Sequence, residues 1–394
     1  MVIEAAARSR PTFYVAGGGT GGHLYPALAV ADALRRLLPE VRFVFFATQR
    51  ALDERIVRQA NWELIRQALP RQRGAAWNWP GAVRTYRLAR RACRDRLAND
   101  RVITVIGTGG FASVPVVCEA HRAGVPSVLL NPDALPGKAN RALAAIADVV
   151  FAQWDETAER LPQALGVKVC GCAIRSQFRQ ADRLKGLQRF GLDPRRKTLL
   201  VTGASQGART INEAVVATLG HLESRLDWQV LHLTGEADFE TVASASRQMA
   251  LPYRVERFTE HMADALGAAD LVVSRAGAST LAEITAVGRA SILMPYPHDR
   301  GRHQLANARC LERQGACLIV HDAIDAAINA PLLRHALELL MTRDDRRLAM
   351  AAAARNLGRA RAAEDIAENI LALATARSAA SRYESVKELS GWTR

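Results

Sequence analysis

Turns rich in glycine are the part of this sequence with the clearest chemical use. Residues 17–23 form Gly-Gly-Gly-Thr-Gly-Gly-His and come directly after a short apolar segment, 13–16, that is typical of a buried strand. Backbone N–H groups in such a turn are not covered by side chains, and a helix that follows directs the positive end of its dipole to the same point. The turn therefore suits a diphosphate, although glycine also serves simply to connect a strand tightly to a helix.

Three further turns of this kind follow apolar segments, at residues 107–110, 203–208 and 275–279. One glycine pattern is a weak signal, but several patterns at matching positions favour phosphate binding over a purely structural use. Because ligands of open parallel sheets bind at the carboxyl ends of the strands, we expect these turns to line binding sites there.

Strand-like and helical segments alternate along the chain, which predicts α/β domains with doubly wound parallel sheets and helices on both faces. The alternation restarts after a polar, basic stretch at 174–182, so the sequence predicts two domains, residues 1–176 and 177–360. From Leu332 onward the chain is helical and rich in alanine, and residues 378–394 lack a strong period, which predicts a loose tail. Besides 13–16, the predicted strands are 41–47, 102–106, 127–130, 149–152, 199–202, 229–233, 271–274 and 291–295.

The net charge of +14 indicates an anionic partner, such as a phosphorylated substrate, an acidic membrane surface or nucleic acid. No nucleic-acid motif supports the last of these. The six cysteines match neither a zinc site nor a secreted disulfide framework, which favours reduced thiols in the cytoplasm. No segment has the ~18 uncharged apolar residues of a spanning helix, so we expect a protein that is soluble or lies on a membrane surface.

A bound metal is not predicted. His298 and His303 lie five residues apart, but no third ligand stands at a useful spacing and the chain has no Asp-x-Asp stretch. Gln304 and Asn307, in the same polar segment, are better suited to bind the hydroxyl and amide groups of a sugar.

Two titratable residues have both a chemical and a structural interpretation. His23 ends the first turn near a helix start, where the positive helix end lowers the pKa of an imidazole. It is a candidate general base, or it shapes the turn by hydrogen bonding. Glu283 stands three residues after Thr280, which fits a capping box, but a carboxylate at this place also suits the hydroxyls of a ribose.

A basic stripe at helical spacing follows two tryptophans, Trp77 and Trp79. Aromatic residues beside a basic helix suit a membrane interface with anionic lipid. The same pattern is also typical of a solvated helix face packed on a sheet, and both interpretations stay open. The stripe consists of Arg84, Arg87, Arg91 and Arg94.

These segments together resemble the MurG family of peptidoglycan N-acetylglucosaminyltransferases. The matches occur in order between about residue 13 and residue 318, cover most of the chain and are highly specific in combination. The matching segments are 16–23 with Pro26 and 28–31, 107–111, 203–209, 258–262 with 269–270, 274–283, and His303-Gln304 with Asn307-Ala308.

The resemblance implies two Rossmann-like domains with a deep cleft between them, the GT-B type of glycosyltransferase. Residues 1–176 would bind the acceptor and face the membrane, 177–360 would bind UDP-N-acetylglucosamine, and the helix in 361–394 would return to the first domain. The implied reaction is inverting transfer of N-acetylglucosamine to the muramyl 4-hydroxyl of undecaprenyl-diphosphate-MurNAc-pentapeptide (lipid I), giving lipid II. It implies no cofactor, no nucleic acid, and a peripheral location on the cytoplasmic face of the bacterial inner membrane.

Two other functions stay open. One is a related nucleotide-sugar-dependent transferase that acts on another lipid or aglycone, and the other is a protein that binds nucleotides or nucleic acid without catalysis. The oligomeric state and the peptide stem of the acceptor are not indicated by the sequence.

The resemblance also implies a set of site residues. His23 would lie near the reaction centre, Thr259 would offer its backbone to the uracil, Glu283 would bind the ribose and Gln304 the sugar. The full set implied for UDP-N-acetylglucosamine is Thr20, Gly21, Gly22, Arg175, Ser205, Thr259, Ala278, Ser279, Thr280, Leu281, Glu283 and Gln304.

The chain departs from the family pattern at three places. Residues 130–133 are Leu-Asn-Pro-Asp where the family has His-Glu-Gln-Asn, so Asp133 replaces an asparagine that touches the donor sugar. An ionised carboxylate accepts hydrogen bonds from hydroxyls but cannot donate to an acetamido carbonyl. The other departures are Cys172-Ala173 in place of Asn-Pro before Arg175, and His303 in place of the first of two glutamines.

Overall fold

The computed structural model describes residues 10–18, 21–48, 54, 57–58, 60–67, 69, 79–203, 207–220, 226–299 and 301–389. Structural statements below concern these residues only. For residues 21–23, 79–80, 82 and 378–389 the description is limited to the backbone.

The described chain forms two compact units. The first consists of the described residues of Met1–Pro132, Pro136–Arg175 and Arg361–Arg394, and the second of Asp133–Leu135 and Ser176–Ala360. In each unit a parallel sheet is surrounded by helices, which confirms the predicted α/β fold class.

The first unit has the strand order β3-β2-β1-β4-β5-β6-β7. Its strands are β1 (Thr12–Ala16), β2 (Arg42–Thr48), β3 (Glu63–Gln67), β4 (Val102–Gly107), β5 (Ser127–Asn131), β6 (Val149–Ala152) and β7 (Val167–Val169). Its helices include α1 (Gly21–Leu37), α2 (Trp79–Leu97), α3 (Ser113–Arg122), α4 (Lys138–Leu143) and α5 (Glu156–Glu159).

The second unit has the strand order β10-β9-β8-β11-β12-β13. After a short 3-10 helix at Ser176–Gln180, its helices are α6 (Arg183–Phe190), α7 (Arg209–Leu219), α8 (Phe239–Ser246), α9 (Met262–Ala268), α10 (Ala278–Val287), α11 (His303–Glu312), α12 (Ala326–Thr342) and α13 (Asp344–Leu357). Its strands are β8 (Lys197–Thr202), β9 (Trp228–Leu233), β10 (Tyr253–Glu256), β11 (Leu271–Ser274), β12 (Ala290–Leu293) and β13 (Leu318–Ile319).

Both sheets reverse their strand order at one point, between β1 and β4 in the first unit and between β8 and β11 in the second. The helices that follow the two neighbouring strands at such a point lie on opposite faces of the sheet, which leaves a crevice at the carboxyl ends. The four glycine-rich turns predicted from the sequence follow β1, β4, β8 and β11. They therefore lie in pairs at the two places where doubly wound sheets bind ligands.

The last described helix, α14 (Ala362–Leu389), packs in the first unit. Ala363, Ile366, Ala367 and Ile370 are buried in the same hydrophobic cluster as residues of α1, and Glu364 accepts a hydrogen bond from Arg36 at 3.2 Å. The backbone stays helical to Leu389, so the predicted loose tail is wrong for residues 378–389. No helix in the described part of the chain combines the length and the apolarity that a membrane span needs.

Candidate functional site

The two turns at the switch point of the first sheet interlock through backbone. A Cβ atom placed on Gly17 would lie 1.7 Å from Oγ1 of Thr108, so any other residue there would require the Thr108 side chain to move. The amide of Thr108 donates to the carbonyl of Ala16 at 2.8 Å, and the Ser113 hydroxyl donates to the same carbonyl at 2.8 Å and to that of Gly109 at 2.7 Å. The ends of β1 and β4 are thus held as one rigid element.

The side-chain amide of Asn140 lies beside the second of these turns. Gly109 has a φ of +92°, and a Cβ atom on it would lie 3.3 Å from Oδ1 of Asn140. Nδ2 of Asn140 donates to the carbonyl of Leu130 and to Oδ1 of Asn131, both at 3.0 Å. Asn131, one of the residues that depart from the family pattern, is buried and connects β5 to this amide.

The first turn continues directly into α1. The helix begins at Gly21, so the backbone of Gly21, Gly22 and His23 forms its first turn. This places His23 at the positive end of the helix dipole. Thr20 and the His23 side chain lie outside the described part of the structure, so their roles stay predictions.

The second unit repeats the close backbone packing. Gly207 has a φ of +74°, and a Cβ atom on it would lie 2.2 Å from the carbonyl oxygen of Thr234. A Cβ atom on Gly203 would lie 2.1 Å from the amide nitrogen of Ala208. The turn after β8 therefore lies directly against the turn after β9, while Ser205, at its centre, is outside the described residues.

A buried histidine fixes this pair of turns. Nε2 of His232 lies 2.9 Å from Oδ1 of Asn212, and Nδ1 lies 2.7 Å from the hydroxyl of Tyr253. Burial lowers the pKa of His232 to about 3, so its ring is neutral. Because an amide oxygen only accepts, the proton is on Nε2, and Nδ2 of Asn212 is directed to the carbonyl of Thr234 at 2.9 Å.

The only signal in the sequence for this network was a histidine, His232, in the largely apolar stretch 228–233. It did not identify the partners, because Asn212 and Tyr253 come from α7 and β10.

The predicted capping box at Thr280 and Glu283 is wrong. Helix α10 begins at Ala278 with Gly277 as its N-cap, and no side chain caps it. Thr280 therefore lies inside the first turn and Glu283 in the second turn. Because glycine leaves the first N–H groups of α10 without a side-chain acceptor, this helix end suits an anion.

The residues predicted along the nucleotide differ in exposure. Ala278 and Leu281 are buried, so Leu281 can offer only backbone to a ligand, whereas Ser279, Thr280 and Glu283 are half-buried. Within the described structure, Oγ of Ser279 is buried and has no hydrogen-bond partner. Thr259, in the loop after β10, accepts a hydrogen bond on Oγ1 from the amide of His261 at 3.0 Å. Arg175 is half-buried and is the last residue before the chain enters the 3-10 helix.

Gln304 joins the turns after β11 and β12. Its Oε1 accepts hydrogen bonds from the amides of Ala276 at 3.2 Å and Tyr296 at 3.0 Å. Two backbone donors fix the orientation of the amide, because only oxygen can accept them. Nε2 has no partner among the described residues, so this side chain can offer a ligand only donated hydrogen bonds.

Asn307, by contrast, is completely buried and hydrogen-bonded inside the second unit. Its Oδ1 accepts from the amide of Ala134 at 2.8 Å, and its Nδ2 donates to Oδ1 of Asp133 at 2.8 Å and to the carbonyl of Ala276 at 3.3 Å. The sequence-based prediction that Asn307 suits a sugar is therefore wrong for its side chain, which orders the backbone around Ala276 instead.

The described residues contain no group of three or more His, Cys, Asp or Glu side chains that could hold a metal. Nδ1 of His303 lies 3.0 Å from the carbonyl oxygen of Leu135.

All four arginines of the basic stripe on α2 are exposed, and one of them, Arg94, also forms an ion pair with Glu119. Nε of Arg94 binds Oε2 of Glu119 at 2.9 Å, and Arg90 binds the same carboxylate, so these two arginines fasten α2 to α3. Arg84, Arg87 and Arg91 are exposed, together with Val83 (36% exposed) and Leu88 (56% exposed). Trp77, and the side chain of Trp79, lie outside the described structure.

Comparison with known protein families gives two adjacent matches. A model of the glycosyltransferase family 28 N-terminal domain matches residues 13–152, and a model of the family 28 C-terminal domain matches residues 198–370. Each match begins within two residues of the first strand of one of the two sheets.

Curated relatives match over nearly the whole chain. The chain is 39% identical over 367 residues to a UDP-N-acetylglucosamine–N-acetylmuramyl-(pentapeptide) pyrophosphoryl-undecaprenol N-acetylglucosamine transferase of Moorella thermoacetica, covering 91% of this chain and 97% of that protein. It is 33% identical over 364 residues to a transferase of the same name from Thermodesulfovibrio yellowstonii, covering 91% and 98%.

Solved structures share the fold. The crystal structure of Acinetobacter baumannii MurG has a TM-score of 0.74 and 24% identity, and the match covers 92% of this chain and 99% of that one. A UDP-GlcNAc 2-epimerase of Neisseria meningitidis bound to UDP-GlcNAc has a TM-score of 0.64 and 12% identity, with 92% and 99% covered. The fold is therefore common to transferases and epimerases, and it does not by itself identify the reaction.

We expect Gly207→Ala to disrupt the turn after β8. The added methyl group would meet the carbonyl of Thr234 in a backbone conformation that alanine disfavours, so unfolding should become easier by about 3 kcal/mol. Gly191→Ala is the matched control, because Gly191 has a φ of +63° with open space around its Cβ position; it should cost about 1 kcal/mol. Urea unfolding of both variants measures the difference, and equal losses would contradict the steric argument.

Proposed function

Because the chain belongs to the MurG family within glycosyltransferase family 28, we propose that it transfers N-acetylglucosamine from UDP-N-acetylglucosamine to lipid I and so makes lipid II. The observation that carries the proposal is the pairing of glycine-rich turns at both switch points, in a chain that matches such transferases over 91% of its length. One pair of turns suits a UDP-sugar and the other suits an acceptor that itself carries a diphosphate.

The reaction is a single displacement with inversion. The muramyl 4-hydroxyl attacks the anomeric carbon of the donor as the bond from that carbon to the β-phosphate oxygen breaks, and UDP leaves. The proton of the attacking hydroxyl passes to a base, for which His23 is the candidate at the start of α1. Negative charge grows on the leaving UDP, and helix ends and arginine stabilise such charge.

The donor is assigned to residues of both domains. The uracil meets the backbone of Thr259, Glu283 binds the ribose, and residues 278–281 at the start of α10 lie along the nucleotide. Thr20, Gly21, Gly22, Ser205 and Arg175 complete the contacts to the diphosphate and sugar. The uncapped first turn of α10 and the unpartnered hydroxyl of Ser279 support this assignment.

Gln304 binds the N-acetylglucosamine group of the donor. With Oε1 used by two backbone amides, Nε2 is its remaining hydrogen-bonding group. Asp133, by contrast, accepts a hydrogen bond from Asn307, and a carboxylate cannot donate to the acetamido carbonyl, so Gln304 is the proposed donor to the sugar.

The exposed face of α2 is the proposed contact with the membrane. Val83 and Leu88 are apolar side chains in solvent, set among the exposed residues Arg84, Arg87 and Arg91. Apolar side chains within a basic helix face bind a surface of anionic lipid, where each basic residue contributes about 1 kcal/mol. Because the acceptor is linked to a lipid, the reaction takes place at the membrane surface, on its cytoplasmic face.

Transfer is tested by incubating the purified protein with labelled UDP-N-acetylglucosamine and a lipid I analogue. We expect label on the muramyl sugar, and His23→Ala should lower kcat by about 10²-fold or more while the Kd for UDP stays the same. His121→Ala, an exposed histidine at the end of α3, is the control and should retain full activity.

Two results would redirect the proposal. Absence of transfer to an acceptor that a known transferase accepts, with transfer to another lipid or aglycone, would assign the chain a different acceptor. Full activity of His23→Ala would remove His23 as the base.

Gln304→Glu tests the donated hydrogen bond. A glutamate keeps an oxygen for the amides of Ala276 and Tyr296 but removes the Nε2 donor, so KM for UDP-N-acetylglucosamine should rise about tenfold. The Ki for UDP, which lacks the sugar, should change less. Gln314→Glu, an exposed residue just beyond α11, controls for the added charge. Equal effects on UDP and UDP-N-acetylglucosamine would contradict a contact with the sugar.

Membrane binding is tested by flotation with vesicles that contain phosphatidylglycerol. The double change Arg87→Glu and Leu88→Ser should lower the partition coefficient about tenfold at low salt, because it removes an apolar contact and reverses a charge. Arg195→Glu reverses the charge of an exposed arginine in the second unit and should have little effect. Unchanged flotation of the double variant would reject this face.

A further inference from the structure

We propose that Arg275, Thr210 and Asp322 are positioning residues of the donor site, which together hold the turns after β11 and β12 in the form that binds the nucleotide. The inference rests on the proposed function. In it, the Arg275 side chain binds backbone carbonyl groups of the protein and does not bind the diphosphate.

Arg275 is placed where an arginine would ordinarily be taken as a phosphate ligand. It is the first residue after β11, three residues before the start of α10, and arginine favours phosphate because of its fixed fork of donors. The side chain is only 8% exposed, however. Its Nη1 donates to the carbonyls of Met294 at 3.0 Å and Pro295 at 3.4 Å, so the guanidinium is turned to the chain after β12.

The same guanidinium is neutralised inside the protein. Nη1 lies 2.8 Å from Oδ2 of Asp322, and Nη2 donates to the Thr210 hydroxyl at 2.7 Å. The Thr210 hydroxyl in turn donates to Oδ2 of Asp322. Thr210 belongs to the first turn of α7, so the network joins the start of α7 to the turns after β11 and β12.

The surroundings of Asp322 favour its ionised carboxylate. Its side chain is 0% exposed, and its Oδ1 accepts from the amide of Ile324 and from Nδ2 of Asn329, both at 2.8 Å. Burial alone would raise the pKa of Asp322, but the hydrogen bonds from Thr210, Arg275, Ile324 and Asn329 hold that pKa below its ordinary value. In a buried ion pair with several further hydrogen bonds, loss of one member leaves the other charge without compensation.

The turn that Arg275 begins is held from three sides. Its own side chain binds the carbonyls after β12, Oε1 of Gln304 accepts from the amide of Ala276, and Nδ2 of Asn307 donates to the carbonyl of Ala276. Helix α10 starts two residues after Ala276, so a shift of the turn moves the first N–H groups of α10 with it. The network thus acts on nucleotide binding through backbone position.

Thr210→Val is the sharpest test, because valine has the shape of threonine and removes only the hydroxyl that bridges Arg275 and Asp322. We expect the Kd for UDP, measured by calorimetry on folded protein at 15 °C, to rise about fivefold, whereas Thr210→Ser keeps the hydroxyl and should stay within about twofold of the wild type. Asp322→Asn should weaken UDP binding more, and adding Thr210→Val to it should change little further, since both act through Arg275.

The alternatives give different results. If Arg275 bound the diphosphate directly, Arg275→Met would weaken UDP but not uridine, and Thr210→Val would bind UDP like the wild type. If the network served stability alone, Thr210→Val would lower Tm and leave the Kd for UDP unchanged. Either result would overturn the inference. Failure of the wild-type protein to bind UDP would instead overturn the proposed function, and the inference with it.

Discussion

The structure depends on the close packing of neighbouring turns at the carboxyl ends of the central strands. At Gly17 and Gly207 a single methyl group would collide with the neighbouring turn, at 1.7 Å from a threonine hydroxyl and 2.2 Å from a carbonyl oxygen. Turns packed this tightly have no room for side chains over their N–H groups, so an anion can reach the backbone. Close packing thus determines the shape of the strand ends and also leaves their N–H groups accessible to an anion.

Side-chain amides from several helices bind strand ends and turns at this edge of each sheet. Asn140 binds the end of β5, Asn212 binds the turn after β9, and Gln304 and Asn307 bind the turn after β11. An amide donates and accepts without carrying charge, so it satisfies backbone groups and leaves the positive potential at the helix ends unchanged. Where a charge is used for the same purpose, at Arg275, it is neutralised by Asp322.

The sequence predicted the inner strands of both sheets but missed β3, β7, β10 and β13, and these are the edge strands. The buried strands β1 and β5 show continuous apolar segments, whereas β3 and β10 are largely half-buried or exposed and their sequences have no such run. The glycine turns were predictable because their composition is local. The partners of Gln304, Asn307 and Arg275 were not, because each bond joins residues that only the folded sheet brings together, and the capping box failed because Gly277 rather than Thr280 begins α10.

The departure at Asp133 shows why family residues transfer to a new chain only with their surroundings. A carboxylate in place of an asparagine removes a donor, but here that carboxylate accepts from Asn307, and Asn307 also binds Ala134 and Ala276. Asp133 therefore contributes to the order of the turn that precedes α10 through its hydrogen bond from Asn307. The fold is shared with an epimerase and does not select one reaction, so the chemistry of the site depends on such contacts between neighbouring polar groups. The effect of a substitution such as that at Asp133 therefore depends on the hydrogen bonds that its neighbours make, here those of Asn307.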